Sequence, residues 1–285
     1  MGKLHDIFQE YKIRPIKSLG QNFLIDGAVL QKIADAGNIS SNDIAVEIGA
    51  GMGGLTTELA KRAERVLAVE IDTKLFGYLK NLFGNSENVK ILNADIMKIS
   101  LSDEIAALSW DTGDPIKVIA NLPYYITTPV LMRMLEKNYK IKIMVLMMQK
   151  EVADRILAAP GTKTYGALTV AAGYYCSVRK ITDVPPHCFV PQPGVTSSVL
   201  RFDVYEKPQV KLLDRDFFFR TVRAAFNQRR KTLLNALSNS ENFNNSKEEI
   251  RNILSNEGIE ENRRGETLSI LQFANLSNSL FLNKH

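Results

Sequence analysis

The sequence predicts an α/β protein: a parallel sheet with helices on both faces, followed by a small all-α C-terminal domain. Three observations carry that expectation. Short apolar runs alternate with helix-length amphipathic runs through the first two-thirds of the chain, the pattern of strand–helix–strand units. The short runs are apolar throughout rather than at every second residue, as in strands covered on both faces. Beyond residue 205 no run reads as strand.

Taken in order, Ile44 to Ile48 is the first strand and runs into glycines. Leu55 to Ala63 reads as helix. Val66 to Glu70 is the second strand, and Asp72 is placed to cap a helix from Lys74 to Phe83. Val89 to Leu92 and Ile116 to Ala120 are the third and fourth strands. The helix from Pro129 to Glu136 carries proline in its first turn, where the missing N–H does no harm. Ile141 to Met148 is the fifth strand, and Glu151 to Ala158 and Ala167 to Tyr175 read as helices. Val178 to Val184 and Ser197 to Val204 read as strands, a candidate hairpin across the proline-rich segment Pro185 to Pro193. A break at Tyr205 to Pro208 divides residues 1–205 from residues 206–285. Helices follow at Asp216 to Leu237, Lys247 to Asn256 and Ser269 to Leu280. Ser246 with Glu249 forms a capping box, and Gly258 suits a C-terminal stop. The Asn- and Ser-rich stretch from Ser238 to Asn245 reads as a loop.

With 285 residues and 45% hydrophobic content, the chain is long enough for two domains with ordinary cores. The net charge of +5 permits a polyanionic partner without requiring one. Cys176 and Cys188 form no CxxC pair and read as reduced thiols. His5, His187 and His285 are scattered, so no metal site is expected. The segment Met1 to Asp6 lacks the apolar stretch of a signal peptide. No run approaches the ~20 apolar residues of a membrane span. A soluble cytoplasmic protein is the expectation.

Two motifs carry chemistry. Glu47-Ile48-Gly49-Ala50-Gly51-Met52-Gly53-Gly54 follows the first strand and opens a helix, so a nucleotide can approach its backbone closely. Glu70, about 20 residues further on, ends the second strand, where a carboxylate can grip two ribose hydroxyls. Taken alone, this pattern supports NAD almost as well as S-adenosylmethionine. Glu47 before the loop would repel a pyrophosphate and tolerate a sulfonium cation. Asp95, ending the third strand, can bind an adenine amino group. Asn121-Leu122-Pro123-Tyr124 ends the fourth strand at the same sheet edge. The Asn121 side-chain oxygen and the Leu122 carbonyl can accept hydrogen bonds from an exocyclic amine. Pro123 fixes the backbone that aims them, and Tyr124 offers a stacking face. That constellation suits methylation of an adenine amino group. In the predicted helix from Asp216, Arg220, Arg223, Asn227, Arg230 and Lys231 recur on one face, a candidate RNA-backbone contact.

With these motifs in place, the chain resembles the ribosomal RNA adenine N6-dimethyltransferase family, and within it the bacterial enzymes of the small subunit. The likeness runs through Ser18 to Leu24, Val46 to Leu55, Val69 to Asp72, Asn93 to Asp95, Asn121 to Tyr125, Gln149 to Arg155, Tyr165-Gly166, Phe189 to Val195 and Ala225 to Leu233. It implies a Rossmann-like S-adenosylmethionine-dependent methyltransferase domain over 1–205 and a helical RNA-binding domain over 206–285. It implies that Asn22, Leu24, Gly49, Gly51, Glu70, Asp95 and Asn121 frame the S-adenosylmethionine pocket. Phe189 is implied to help hold the target base. The implied substrate is 16S rRNA in an immature small ribosomal subunit, dimethylated at two adjacent adenosines in a hairpin near its 3′ end. A monomer that needs no metal is expected. The rivals are an erythromycin-resistance type of enzyme acting on large-subunit RNA, a DNA adenine methyltransferase, a non-catalytic ribosome-assembly factor, and an NAD oxidoreductase.

Overall fold

The computed structural model describes residues 2–16, 19–108, 110, 115–137, 139–241 and 243–283. Met1, Ser18, Asn242 and His285 lie outside the described residues. The chain divides into two units: Met1–Ala153 with Arg179–Val204, and Asp154–Val178 with Tyr205–His285. The chain passes from the first unit to the second at 204/205. The segment 154–178, expected with the sheet, joins the C-terminal helices instead.

The first unit runs α1 (Gly2–Glu10), β1 (Phe23–Leu24), α2 (Gly27–Ala36), β2 (Ile44–Ile48), α3 (Gly54–Ala60), β3 (Arg65–Glu70), α4 (Thr73–Leu82), β4 (Val89–Asn93), α5 (Leu101–Ala107), β5 (Ile116–Asn121), α6 (Thr127–Glu136) and β6 (Ile141–Gln149). Next comes α7 (Lys150–Ile156), and later β7 (Cys176–Val184), β8 (Phe189–Val190) and β9 (Ser197–Val204). Seven strands form one sheet in the order β4-β3-β2-β5-β6-β9-β7. The pairs β3/β4, β2/β3, β2/β5 and β5/β6 are parallel. Strand β9 runs antiparallel to β6, so the two late strands extend the sheet on one side. The pair β1/β8 makes a separate small antiparallel sheet.

All five residues of β2 are buried, as a central strand covered on both faces requires. On one side Ile33 of α2 and Leu55 and Leu59 of α3 pack with Ala45, Val66 and Ile119. Another cluster joins Leu75, Tyr78 and Leu79 of α4 to Phe23, Ala50 and Ala68. Asp72 caps α4 by accepting from the N–H groups of Lys74 and Leu75. Asp26 caps α2 through the Val29 N–H.

Lys117 sits on β5 and is only 5% exposed. Its ammonium donates to Asp43 Oδ2 at 2.7 Å and to the Asn38 carbonyl at 2.5 Å. Burial alone raises the Asp43 carboxyl, but the bonds from Lys117 and Ser40 outweigh it and hold the group below its usual 3.8. The pair closes the end of the sheet where β2 and β5 begin.

The second unit is helical: α8 (Ala167–Tyr175), α9 (Arg215–Asn227), α10 (Leu233–Ser238), α11 (Lys247–Asn256) and α12 (Ile270–Leu282). Its core joins Phe217, Phe218 and Val222 of α9 to Leu233, Leu237, Ile250, Leu254 and Phe273. Tyr165, Val170 and Tyr174 belong to the same core, which explains why 154–178 sits here. Tyr165 Oη donates to the Leu268 carbonyl at 2.8 Å. Gly173 of α8 lets α12 approach, since a Cβ there would stand 2.6 Å from Ile270 Cδ1. The capping box of Ser246 and Glu249 forms, and Gly258 ends α11 at φ +65°.

A helix expectation is also overturned. The single helix predicted from Asp216 to Leu237 is two helices, interrupted at 228–232. Thr232 takes an extended conformation and its side chain accepts from the Asn235 N–H, opening α10 as an N-cap. The Leu233 N–H turns outward to the Arg263 carbonyl at 2.6 Å.

Replacing Lys117 with alanine leaves a partly buried carboxylate without its cation. We expect a loss of about 3 kcal/mol in chemical denaturation at neutral pH. The Asp43 value is depressed, so the stability it lends is present above 3.8 and is lost as pH falls through its folded value. The gap between the proteins should therefore narrow in acid; a pH-independent gap would show that the ion pair is not its cause.

Candidate active site

Strand β2 leads on toward β3 on one side of it, while β5 lies on its other side and leads on to β6. The chain ends of β2 and β5 therefore part company, and a crevice opens at the carboxyl edge between them. A cavity of about 230 Å³ occupies this edge. Asn22, Leu24, Gly49, Gly51, Glu70, Asp95, Asn121, Leu122, Pro123, Tyr124 and Phe189 all line it. Every residue expected to frame a cofactor or hold a base is thus gathered in one place.

The glycine loop turns directly after β2. Gly49 and Gly51 stand at φ +77° and +56°, a region that side chains with a Cβ rarely enter. The Gly49 N–H donates to the Val69 carbonyl at 2.8 Å. Glu70, at the end of β3, clamps the loop: Oε2 accepts from the Gly51 N–H at 2.8 Å and Oε1 from the Asp72 N–H at 2.9 Å. Each carboxylate oxygen can accept a further bond. Asp95 Oδ1 accepts from the Met97 N–H at 2.9 Å, and Lys98 stands 3.7 Å from Oδ2.

Asn121 ends β5 on the face that Lys117 and Ile119 share by alternation. Its amide nitrogen donates to the Asn22 carbonyl at 3.4 Å, which leaves Oδ1 as an acceptor. Leu122 is 1% exposed, so its side chain anchors the turn while its backbone lies at the cavity. Pro123 leads into the 3-10 turn Tyr124–Ile126. Tyr124 is half-buried, and its hydroxyl lies 2.8 Å from Ser197 Oγ. Phe189 pairs with Leu24 through the β1/β8 register and is 1% exposed, part of the cavity wall.

The charge of the cavity is one-sided. Among the described residues lining it are three carboxyls, Glu47, Glu70 and Asp95, and no lysine, arginine or histidine. No cationic side chain among them could balance a phosphate-bearing ligand. Glu47 is 1% exposed and accepts from the Thr56 hydroxyl at 2.5 Å. Burial pushes its carboxyl from 4.5 up to about 8; the Thr56 bond pulls the other way, and the Glu70 charge adds to the rise. Burial also raises Glu70, against the backbone N–H groups of Asp72 and Gly51. The arrangement fits a ligand with a hydroxyl-rich sugar and a positive charge. Among the described residues no group of three His, Cys, Asp or Glu side chains could hold a metal ion.

The basic residues singled out in the sequence all lie in the second unit, and they do not share one helix face. Arg220 and Arg223 are on α9, whereas Arg230 and Lys231 lie in the turn before α10. Arg220 rests over the Phe217 ring at 5.4 Å, and its Nε is buried without a hydrogen-bond partner among the described residues. Arg223, Arg230 and Lys231 are exposed. Arg229, not singled out, ties the turn down through the carbonyls of Lys163 and Tyr165 and the Glu266 carboxylate. Thr56 and Ser197 carry no sequence signal of their roles: Thr56 bonds Glu47 across the glycine loop, and Ser197 bonds Tyr124, 73 residues away.

Known proteins agree with this geometry. The chain is 47% identical over 278 residues to ribosomal RNA small subunit methyltransferase A of Alkaliphilus oremlandii, covering 98% of this chain and 96% of that one. It is 49% identical over 280 residues to the protein of the same name in Bacillus mycoides, with the same coverage. Among solved structures, a dimethyladenosine transferase from Plasmodium falciparum superposes with a TM-score of 0.76 at 26% identity, over 89% of this chain and 95% of the other. The 23S rRNA methyltransferase ErmE shares the fold, with a TM-score of 0.69 at 23% identity over 91% and 100% of the two chains. The family model for ribosomal RNA adenine dimethylase matches residues 14–280, and the chain belongs to that family.

Proposed function

We propose that this protein transfers methyl groups from S-adenosylmethionine to the N6 atoms of two adjacent adenosines in a hairpin near the 3′ end of 16S rRNA. The substrate is an immature small ribosomal subunit, and each adenosine ends dimethylated. The observation that carries the reading is the acid-lined, cation-free cavity that ends at Asn121–Tyr124. The small-subunit names of relatives aligned over 98% of the chain favour this reading over one acting on large-subunit RNA. All cavity-lining residues come from the first unit, and a monomer is part of this reading. Small-subunit assembly places the enzyme in the cytoplasm. Among the described residues, no helix is long and apolar enough to cross a membrane.

When bound, S-adenosylmethionine supplies a methyl group on a sulfonium that departs as a neutral thioether. Glu70 has acceptor capacity left for the ribose hydroxyls, and Asp95 for the adenine amine. Gly49 and Gly51 let the backbone close on the ligand. Glu47 offers a buried carboxyl whose ionised form a cation favours.

The adenine amino nitrogen is a poor nucleophile because its lone pair is delocalised into the ring. Asn121 Oδ1 and the Leu122 carbonyl accept from its two N–H groups and favour a pyramidal nitrogen whose lone pair faces the methyl. Alignment and charge placement supply the acceleration. The base leaves its stack to reach the cavity and lies against Tyr124, with Phe189 in the wall; such stacking contributes ~1–3 kcal/mol per base. Arg223, Arg230 and Lys231 contact phosphates, while Arg220 rests on the Phe217 ring of α9. This gives a salt-sensitive grip without sequence choice.

The direct test incubates unmodified precursor small subunits with radiolabelled donor and digests the RNA to nucleosides. Label in N6,N6-dimethyladenosine is expected; a folded enzyme that leaves these subunits unlabelled would overturn the reading. Asn121→Ala should abolish methyl transfer while RNA binding stays nearly intact, and turnover near that of the parent would remove the role given to Asn121. Glu70→Ala should weaken donor affinity by roughly tenfold to a hundredfold, the loss of hydrogen bonds to a charged group; titration calorimetry reads this directly, and an unchanged Kd counts against it. Glu47 keeps its proton in the folded chain up to about 8 but releases it near 4.5 when unfolded. The free protein should therefore lose stability as pH rises between those values. Glu47→Gln should flatten that decline in thermal unfolding, and parallel curves would rule the effect out.

A further inference from the structure

Tyr124 is held at both ends. At its backbone end, the Pro123 carbonyl accepts from the Ile126 N–H at 3.1 Å and from Thr127 Oγ1 at 3.2 Å, which fixes the 3-10 turn. At its far end, the phenol oxygen lies 2.8 Å from Ser197 Oγ. Ser197 is fully buried at the start of β9, opposite Gln149 of β6, so the anchor belongs to the sheet rather than to a loop. A ring tethered at one end can swing about its side-chain torsions; a ring tethered at both cannot. The phenol therefore presents one fixed face to the cavity it lines.

The value of a fixed face differs between the two transfers, given the function proposed above, on which this inference rests. In the first transfer the amine has two N–H groups, for Asn121 Oδ1 and the Leu122 carbonyl. Two hydrogen bonds fix the rotation of the base in its plane. After one methylation a single N–H remains, and the base can pivot about it. Its orientation then depends on the stacking surface. In each transfer the nitrogen lone pair forms the N–C bond as the C–S bond breaks, the bonding pair stays on sulfur, and the amine loses one proton to solvent.

We propose that Ser197 is a positioning residue that acts through Tyr124 to sustain the second methyl transfer, so that the pair sets whether the product is mono- or dimethylated.

The test measures both products by nucleoside mass spectrometry over a time course on precursor small subunits with S-adenosylmethionine. The proteins compared are the parent, Ser197→Ala, Tyr124→Phe and the double variant. Monomethyladenosine should accumulate in both single variants. The second transfer should slow roughly fivefold to tenfold in both, as expected for one lost hydrogen bond; in Ser197→Ala the first stays within about twofold, and in Tyr124→Phe the second slows more than the first. Donor affinity by calorimetry should be unchanged, and the double variant should be no slower than either single one. Tyr124→Phe removes the same bond from a half-buried ring, so the inference remains testable if Ser197→Ala does not fold. Equal slowing of both transfers, an unchanged product ratio, or additive losses in the double variant would each overturn the proposal. A parent protein that labels nothing would instead overturn the functional reading, and this inference with it.

Discussion

The structure depends on one topological constraint: β2 has β3 on one side and β5 on the other, and the chain leaves each strand in a different direction. Two parallel neighbours whose continuations diverge cannot close the sheet edge between them. What lines the gap is then decided by the residues that end each strand. Here those residues are a glycine loop after β2, a carboxylate at the end of β3 and an amide at the end of β5. The opposite edge shows the contrast: there Lys117 and Asp43 form an ion pair at 2.7 Å.

Charge is distributed between the units with similar economy. The first unit gathers three carboxyls around its cavity without a cation among the described lining residues. The second carries exposed arginines and a lysine on α9 and in the turn that follows. Acidic and basic side chains thus gather on different parts of one chain. The overall charge of +5 conceals this separation, because a sum over residues carries no information about where they lie.

Much of the first unit was legible because its signals are local. Apolar runs marked β2, β3, β4, β5 and β6, and Asp72 announced α4 as its cap. The acids at the strand ends and the Asn121–Tyr124 turn were visible as positions relative to strands, and the structure brings them to one cavity. Helices α1, α2 and α5 escaped notice, since short helices stabilised by packing announce themselves weakly. The single helix expected from Asp216 to Leu237 failed at Thr232, although Thr232 and Asn235 could have been read as a cap. Segment 154–178 precedes the break at 205 in the chain, yet its Tyr165, Val170 and Tyr174 belong to the helical core. The bond from Tyr124 to Ser197 spans 73 residues and depends on the tertiary fold.

The placement of segment 154–178 has a consequence for how this protein is inherited and engineered. The chain crosses from one unit to the other at 153/154, at 178/179 and at 204/205, so neither unit is an uninterrupted stretch of sequence. A single splice at residue 205 would strip the helical unit of Tyr165, Val170 and Tyr174 and strand their apolar surface on the remaining fragment. Recombination between relatives at one junction therefore mixes two parents within the helical core; an exchange that takes each core from one parent needs all three crossovers together.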